Sequence, residues 1–93
     1  MSVTHNDIVS AQKAQSDVIR KTSLIFSETF SKITGSTVYL KNEFEQKTGS
    51  FKLRGAYYKI KTLTENERKN GVVAASAGNH AQGVAFASAL EKI

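Results

Sequence analysis

The sequence predicts an α/β fold that combines helices with the start of a parallel sheet. Three consecutive features indicate this class: an apolar run at 72–75, a turn that contains glycine, and a helical pattern from Asn79 to about Lys92. An uninterrupted apolar run is typical of a strand covered on both faces, and strand, tight turn and helix make half of a β-α-β unit. No completing strand follows before Ile93, so we expect residues 1–93 to form one incomplete N-terminal segment.

The residues before this unit predict two helices and a strand. The first helix is expected over residues 6–20, with Asn6 as its cap. Ser27 is a cap candidate for a second helix that ends at Gly35. Residues 37–41 alternate between apolar and polar side chains, as a strand with one covered face does.

Two further helices have clearer patterns. From Ser50, apolar residues recur at i, i+3, i+4 and i+7 and form a single stripe: Leu53, Ala56, Tyr57 and Ile60. Thr64 and Glu67 have the spacing of a capping box, which predicts a short helix that Gly71 ends.

Composition argues against several classes of function. The chain has 40% apolar and 23% charged residues, which is typical of folded, soluble protein. Its net charge is +5, but the basic residues are dispersed among acids, so nucleic acid is not an expected partner. With no cysteine and two histidines, neither a disulfide framework nor a metal site is expected. The sequence shows no signal peptide and no apolar run near the ~20 residues that span a bilayer, so we expect a cytoplasmic protein without membrane contact.

The first segment with chemical potential is the turn SAGNHAQG, residues 76–83. At a strand-to-helix turn, free backbone N–H groups and the helix dipole favour a carboxylate or a phosphate. Gly78 and Gly83 have P-loop spacing, but the lysine and hydroxyl residue of a P-loop do not follow them. A simpler interpretation stays open, in which Gly78 permits the turn and Asn79 caps the helix. His80 fits a structural hydrogen bond better than a general base.

The second segment is TGSFKLRGA, residues 48–56, in which Lys52 lies in the first turn of the third helix. The positive end of the helix dipole favours the neutral amine of a lysine, and burial would act in the same direction. A neutral amine is what Schiff-base chemistry requires. The residue types alone do not distinguish Lys52 from a solvated surface lysine.

Together, TGSFKLRGA and SAGNHAQG resemble the pyridoxal-phosphate (PLP) dependent threonine and serine dehydratases of the tryptophan-synthase-β-like group. The resemblance runs from about Ile8 to Ile93. It implies the N-terminal fragment of a fold-type-II PLP enzyme, with helices and the start of a parallel three-layer sheet domain. The family's glycine-rich phosphate loop and its C-terminal part come after this stretch.

The resemblance also implies roles for individual residues. Lys52 matches the lysine that carries PLP and that takes the α-proton after the substrate has displaced it. Phe51 matches the phenylalanine against one face of the cofactor ring, and Asn79 matches the asparagine that hydrogen-bonds the phenolic oxygen of the cofactor. The loop that surrounds the substrate carboxylate matches Ser76, Gly78, Asn79 and His80.

The implied reaction is a β-elimination, in which L-threonine or L-serine loses its α-proton and β-hydroxyl and yields a 2-oxo acid and ammonia. One alternative is a serine racemase or another β-eliminating relative. In related racemases a serine handles the proton on the second face of the substrate at the position of Ala77, whose methyl group cannot do so. The other alternative is a non-catalytic scaffold that keeps this half-domain. The resemblance further implies that the complete protein is a homo-oligomer.

Two stretches depart from the family's pattern. Residues 41–46 read KNEFEQ, where relatives more often have Glu-Asn followed by an apolar residue and Gln. Residues 22–24 read Thr-Ser-Leu in place of the usual Thr-Pro-Leu. We expect neither departure to affect the reaction. Together, however, they leave the assignment to a subfamily undecided.

Overall fold

The computed structural model describes residues 1–93 as five α-helices, two short β-strands and one 3-10 turn. In chain order these are α1 (His5–Ala14), β1 (Leu24–Phe26), α2 (Glu28–Thr34), β2 (Tyr39–Lys41), the 3-10 turn (Glu43–Glu45), α3 (Lys52–Lys61), α4 (Glu65–Asn70) and α5 (Asn79–Glu91). None of the helices combines the length and the apolar character that a bilayer span requires.

The core lies where α3 packs on α5. Its buried cluster consists of Leu53, Tyr57, Ile60 and Ala87, each at most 3% exposed. The apolar stripe predicted for α3 is thus buried as a unit, because its members share one helix face. On α5, Gly83 lies so close that a Cβ atom there would be 3.3 Å from both the N and the Cα of Leu53. The two helices approach this closely because Gly83 has no side chain.

Local capping signals set the ends of two helices as predicted. The Ser27 side chain caps α2, and Gly35 ends it in the left-handed conformation, with φ at 70°. Thr64 and Glu67 form the reciprocal capping box of α4, and Gly71 follows as its C-cap. Both predictions are confirmed, since these motifs need only residues within one turn of each other.

The predicted boundaries of the first helix are wrong at both ends. Thr4, not Asn6, is the cap of α1, because Thr4 and Asp7 form a capping box in which the Thr4 N–H donates to the Asp7 carboxylate at 2.7 Å. The helix stops at Ala14 instead of residue 20. The turn that follows brings two apolar side chains against the core of α3 and α5, namely Val18 and Ile19.

The only sheet is antiparallel and has two strands. Its register pairs Leu24 with Lys41, Ile25 with Leu40, and Phe26 with Tyr39. The strand predicted at 37–41 is confirmed over its last three residues. Its partner β1 was missed, because three successive apolar residues carry no strand periodicity.

The strand predicted at 72–75 is wrong for this structure. These residues lie outside any strand, and Val73 is fully exposed. A parallel strand exists only through hydrogen bonds to its neighbours, and no strand lies beside this run. The helix predicted after it is confirmed as α5, which begins at Asn79 and ends one residue before Lys92.

Replacing Gly83 tests the close approach of the two helices. We expect Gly83→Val to lower the free energy of unfolding by about 1–3 kcal/mol, because the new side chain pushes α5 away from the α3 backbone. The matched control is Gly55→Val in α3, where a Cβ would meet nothing within 4 Å. That change is expected to cost less than about 0.5 kcal/mol. Urea denaturation of the purified protein measures both, and equal losses would contradict the packing described above.

Candidate functional site

The first three residues of α3 point to three different faces, since successive helical residues are about 100° apart. Leu53 is fully buried against α5, and Arg54 forms an ion pair with Glu43 at 2.7 Å. The Lys52 side chain is exposed. Its Nζ lies 5.3 Å from the centroid of the Phe51 ring, which is 59% exposed. The lysine singled out by the sequence therefore stands on an anchored turn with its amine accessible.

The N-terminus of α5 has no side-chain cap. Gly78 occupies the cap position, and the first intrahelical hydrogen bond runs from the Gln82 N–H to the Gly78 carbonyl at 3.1 Å. The N–H groups of Asn79, His80 and Ala81 therefore have no partner within the helix. Because Gly78 is the cap, the simpler interpretation of Asn79 as a helix cap is wrong. The free N–H groups and the positive end of the dipole are available to an anion.

The contacts between α3 and α5 place the starts of both helices at the same end of the pair. Leu53, near the start of α3, lies against Gly83 in the first half of α5. One turn later, the Tyr57 hydroxyl donates to the Glu91 carboxylate at 2.9 Å, at the end of α5. The contacts thus advance in the same direction along both helices. The exposed lysine amine of α3 and the uncapped start of α5 therefore belong to one end of the helix pair.

Only some members of the predicted carboxylate loop contact each other. The Gly78 N–H donates to the Ser76 hydroxyl at 3.2 Å. His80 is exposed and lines a cavity of about 290 Å³ together with Lys59 and Ile60 of α3. Neither histidine contacts a cluster of possible metal ligands, and no group of three or more such side chains occurs in the structure.

Sequence reasoning missed a polar network just before α3. It contains residues of both stretches that depart from the family's pattern, 22–24 and 41–46, although neither was expected to affect the chemistry. The Glu43 carboxylate accepts hydrogen bonds from Arg54 Nε at 2.8 Å, from Arg54 Nη2 at 2.7 Å, and from the Thr22 hydroxyl at 2.6 Å. The hydrogen bonds from Arg54, with a smaller contribution from Thr22, lower the pKa of Glu43 to about 2. Glu43 is therefore charged at neutral pH and holds the first turn of the lysine-bearing helix through Arg54.

The same network fastens this segment to residues 20–23. The Gln46 side chain, 3% exposed, accepts from the Arg20 N–H at 2.9 Å and donates to the Arg20 carbonyl at 3.0 Å. The Glu45 carboxylate accepts from both the N–H and the hydroxyl of Ser23, which lowers the pKa of Glu45. We call the contacts of residues 42–46 with residues 20–23 and with Arg54 the clamp. No periodicity could reveal it, since its partners are 11 to 26 residues apart.

The residues present fit the cofactor that the resemblance implies. PLP carries an aldehyde, an aromatic ring and anionic groups. The accessible amine of Lys52 is complementary to the aldehyde, and the open ring of Phe51 is complementary to the aromatic ring. The Asn79 amide can donate to the anionic phenolic oxygen.

Comparisons with known proteins indicate the same cofactor. The family described as "Pyridoxal-phosphate dependent enzyme" matches residues 15–93. The L-threonine ammonia-lyase of Thermotoga maritima is 57% identical over 88 residues, which cover 95% of this chain and 22% of that protein. The catabolic L-threonine dehydratase of Escherichia coli K12 is 44% identical over 90 residues, covering 97% and 27% respectively. The chain thus spans about a quarter of the length of these relatives.

Solved structures share the arrangement of helices and strands. The serine racemase of Dictyostelium discoideum matches with a TM-score of 0.89 and 42% identity, over 98% of this chain and 30% of that one. The processed form of threonine deaminase isoform 2 from Solanum lycopersicum matches with a TM-score of 0.70 and 36% identity, over 96% and 26%. The structure therefore corresponds to part of each of these longer proteins.

The ionised Glu43 predicts a pH-dependent contribution to stability. At about pH 7, Glu43→Gln is expected to lower the free energy of unfolding by about 1–3 kcal/mol, because Arg54 loses its charged partner. The folded-state pKa is lowered from 4.5 to about 2, so this contribution is complete above the unfolded value and disappears as the pH falls through about 2. Urea denaturation across this range measures the difference between variant and wild type.

The control is Glu28→Gln, which breaks the exposed Glu28–Lys32 ion pair of equal length, 2.7 Å. Its effect is expected to stay below about 0.5 kcal/mol at any pH. A difference between wild type and Glu43→Gln that did not shrink on acidification would contradict the ionised pair.

Proposed function

Because the chain belongs to the family of pyridoxal-phosphate dependent enzymes, we propose that the complete protein is a threonine ammonia-lyase. One observation carries this proposal: 57% identity to the L-threonine ammonia-lyase of Thermotoga maritima over 95% of the chain. The substrate proposal extends to L-serine, which has the same leaving hydroxyl on its β-carbon. A cytoplasmic location and a homo-oligomeric state remain predictions.

We assign the attachment of the cofactor and the removal of the α-proton to Lys52. When bound, PLP supplies the electron sink that lets an amino acid lose this proton. The protein must hold a base beside the α-carbon, and the Lys52 amine is accessible on the anchored first turn of α3. Phe51 offers an open aromatic face beside that amine, which supports its role against the cofactor ring.

The start of α5 is the proposed site for the substrate carboxylate. An uncapped helix N-terminus offers several N–H donors and a positive dipole end to an anion. The residues that we assign to this site are Ser76, Gly78, Asn79 and His80. Asn79 also has a side-chain amide that can donate a hydrogen bond to the phenolic oxygen of the cofactor. The starts of α3 and α5 lie at the same end of the helix pair. This supports placing the base on α3 and the carboxylate site on α5.

Serine racemase is the second candidate, because racemases from Dictyostelium discoideum and maize match the fold with TM-scores of 0.89 and 0.84. Racemisation needs a proton-handling group on each face of the substrate. Lys52 can serve one face. At the position where related racemases carry a serine, this chain has Ala77, whose methyl group handles no proton. Elimination is therefore the better supported reaction.

Chemical reduction of the complete protein tests the role of Lys52. We expect borohydride followed by peptide mapping to place a pyridoxyl group on Lys52, and Lys52→Ala to lose both the label and the activity. The matched control is Lys59→Ala, because Lys59 is an exposed lysine of the same helix. A label on another lysine, with Lys52→Ala still active, would refute the assignment. A folded protein that takes up no PLP would favour the scaffold alternative.

The products distinguish elimination from racemisation. We expect 2-oxobutanoate from L-threonine and pyruvate from L-serine. D-serine is expected to form at less than about one hundredth of the rate of pyruvate, which corresponds to a difference of roughly 3 kcal/mol between the two activation barriers. Chiral chromatography of a reaction with L-serine measures both products. Ala77→Ser is expected to raise D-serine formation because it supplies a hydroxyl. Comparable rates of D-serine and pyruvate in the wild type would overturn the proposal in favour of a racemase.

A further inference from the structure

We infer that Glu43 is a positioning residue for Lys52 and acts through Arg54. This inference rests on the proposed function of Lys52 as the cofactor-bearing base. Three hydrogen bonds within the fold already engage the Glu43 carboxylate. One of its oxygens accepts from Thr22 and Arg54, and the other accepts from Arg54. We therefore assign to Glu43 an indirect role, in which its ion pair with Arg54 fixes the position of α3.

The first turn of α3 depends on tertiary contacts for its position. The cap residue Phe51 makes no side-chain hydrogen bond to the helix, and the hydrogen bond from the Lys52 N–H to the Ser50 hydroxyl is long, at 3.4 Å. A helix end that is capped this weakly frays unless other contacts hold it. Two tertiary contacts oppose this fraying: Leu53 is buried against α5, and Arg54 is paired with Glu43. Because these contacts lie about 100° apart around the helix, together they restrict both its rotation and its displacement.

Arg54 holds the helix from the side opposite to Lys52. Residues two positions apart are separated by about 200° around a helix axis, so a bond to one leaves the other free. The Arg54 guanidinium binds both oxygens of Glu43 through two nitrogens, a geometry that fixes direction as well as distance. The orientation of the Lys52 side chain is thus set by an ion pair that does not touch it.

Glu43 can serve as an anchor because the clamp immobilises it. Thr22, which donates to the Glu43 carboxylate, is 4% exposed. On the other flank of the 3-10 turn, Gln46 is tied to both backbone groups of Arg20. The carboxylate therefore belongs to a fixed frame that precedes α3, and Arg54 connects the lysine-bearing turn to that frame.

Glu91 provides a control of matched burial. Its side chain is 17% exposed and that of Glu43 is 16%. Glu91 also joins charged partners, with Lys61 at 3.5 Å and Arg68 at 3.6 Å, and it accepts from the Tyr57 hydroxyl. These contacts lie at the opposite end of the α3–α5 pair. Glu91→Gln should therefore weaken the fold without releasing the first turn of α3.

The test uses the complete protein, freed of its cofactor and then titrated with PLP. We expect Glu43→Gln to weaken the affinity for PLP about tenfold or more, as followed by the absorbance of the bound cofactor. Arg54→Lys keeps the charge but loses the two-nitrogen geometry, so an intermediate loss is expected. Glu91→Gln and Glu28→Gln are expected to stay within about twofold of wild type. The exchanged pair Glu43→Arg with Arg54→Glu is expected to recover part of the affinity.

A second measurement needs no bound cofactor. Pulse acetylation of the cofactor-free protein, read by mass spectrometry, gives the reactivity of Lys52 relative to Lys59 on the same helix. We expect Glu43→Gln to change this ratio at least about twofold, whereas Glu91→Gln leaves it unchanged.

The inference is overturned if Glu43→Gln binds PLP like wild type, or if Glu91→Gln loses equal affinity. If Glu43→Gln does not fold, the PLP affinity and the acetylation ratio of Arg54→Lys test the inference in its place. Wild-type protein that carries no PLP on Lys52 would refute the proposed function, while the acetylation ratio still tests the clamp.

Discussion

The contact between Leu53 and Gly83 brings the backbones of α3 and α5 close together, and the arrangement of the candidate site depends on it. A Cβ at position 83 would be 3.3 Å from backbone atoms of Leu53, so any side chain there forces the helices apart. The contact joins the two segments that carry the chemistry suggested by the sequence. It does so in a way that brings the exposed lysine of one helix and the uncapped start of the other to the same end.

Polar contacts hold much of the rest of the chain in position, because little apolar surface is buried. Five apolar residues are buried in the chain, and four of the five lie on α3. The segment that leads into α3 is held by the clamp, whose charged and amide groups are largely paired. Buried polar groups cost free energy unless they are hydrogen-bonded, so such a network stabilises one arrangement and penalises others. The apolar side chains of β1 and β2 stay exposed, and we expect them to be covered in the complete protein.

Local signals in the sequence were sufficient for α2, α4 and most of α3 and α5. Caps and apolar stripes act within one or two turns, so residues such as Ser27 and Gly71 set helix ends without help from distant segments. The candidate lysine was a different case. Its residue type and helical position did not distinguish it from other lysines, and only the resemblance of two motifs singled it out.

The sequence by itself determined the helical segments after α1, the absence of cysteine chemistry and the two motifs that indicate the family. Only the tertiary structure decided the pairing of β1 with β2, the unpaired state of residues 72–75, and the clamp around Glu43. The physical reason is the range of the interactions. A cap joins neighbours along the chain, whereas the pairing of β1 with β2 and the Glu43–Arg54 ion pair exist only when separate segments meet. Folding of the whole chain determines which segments those are.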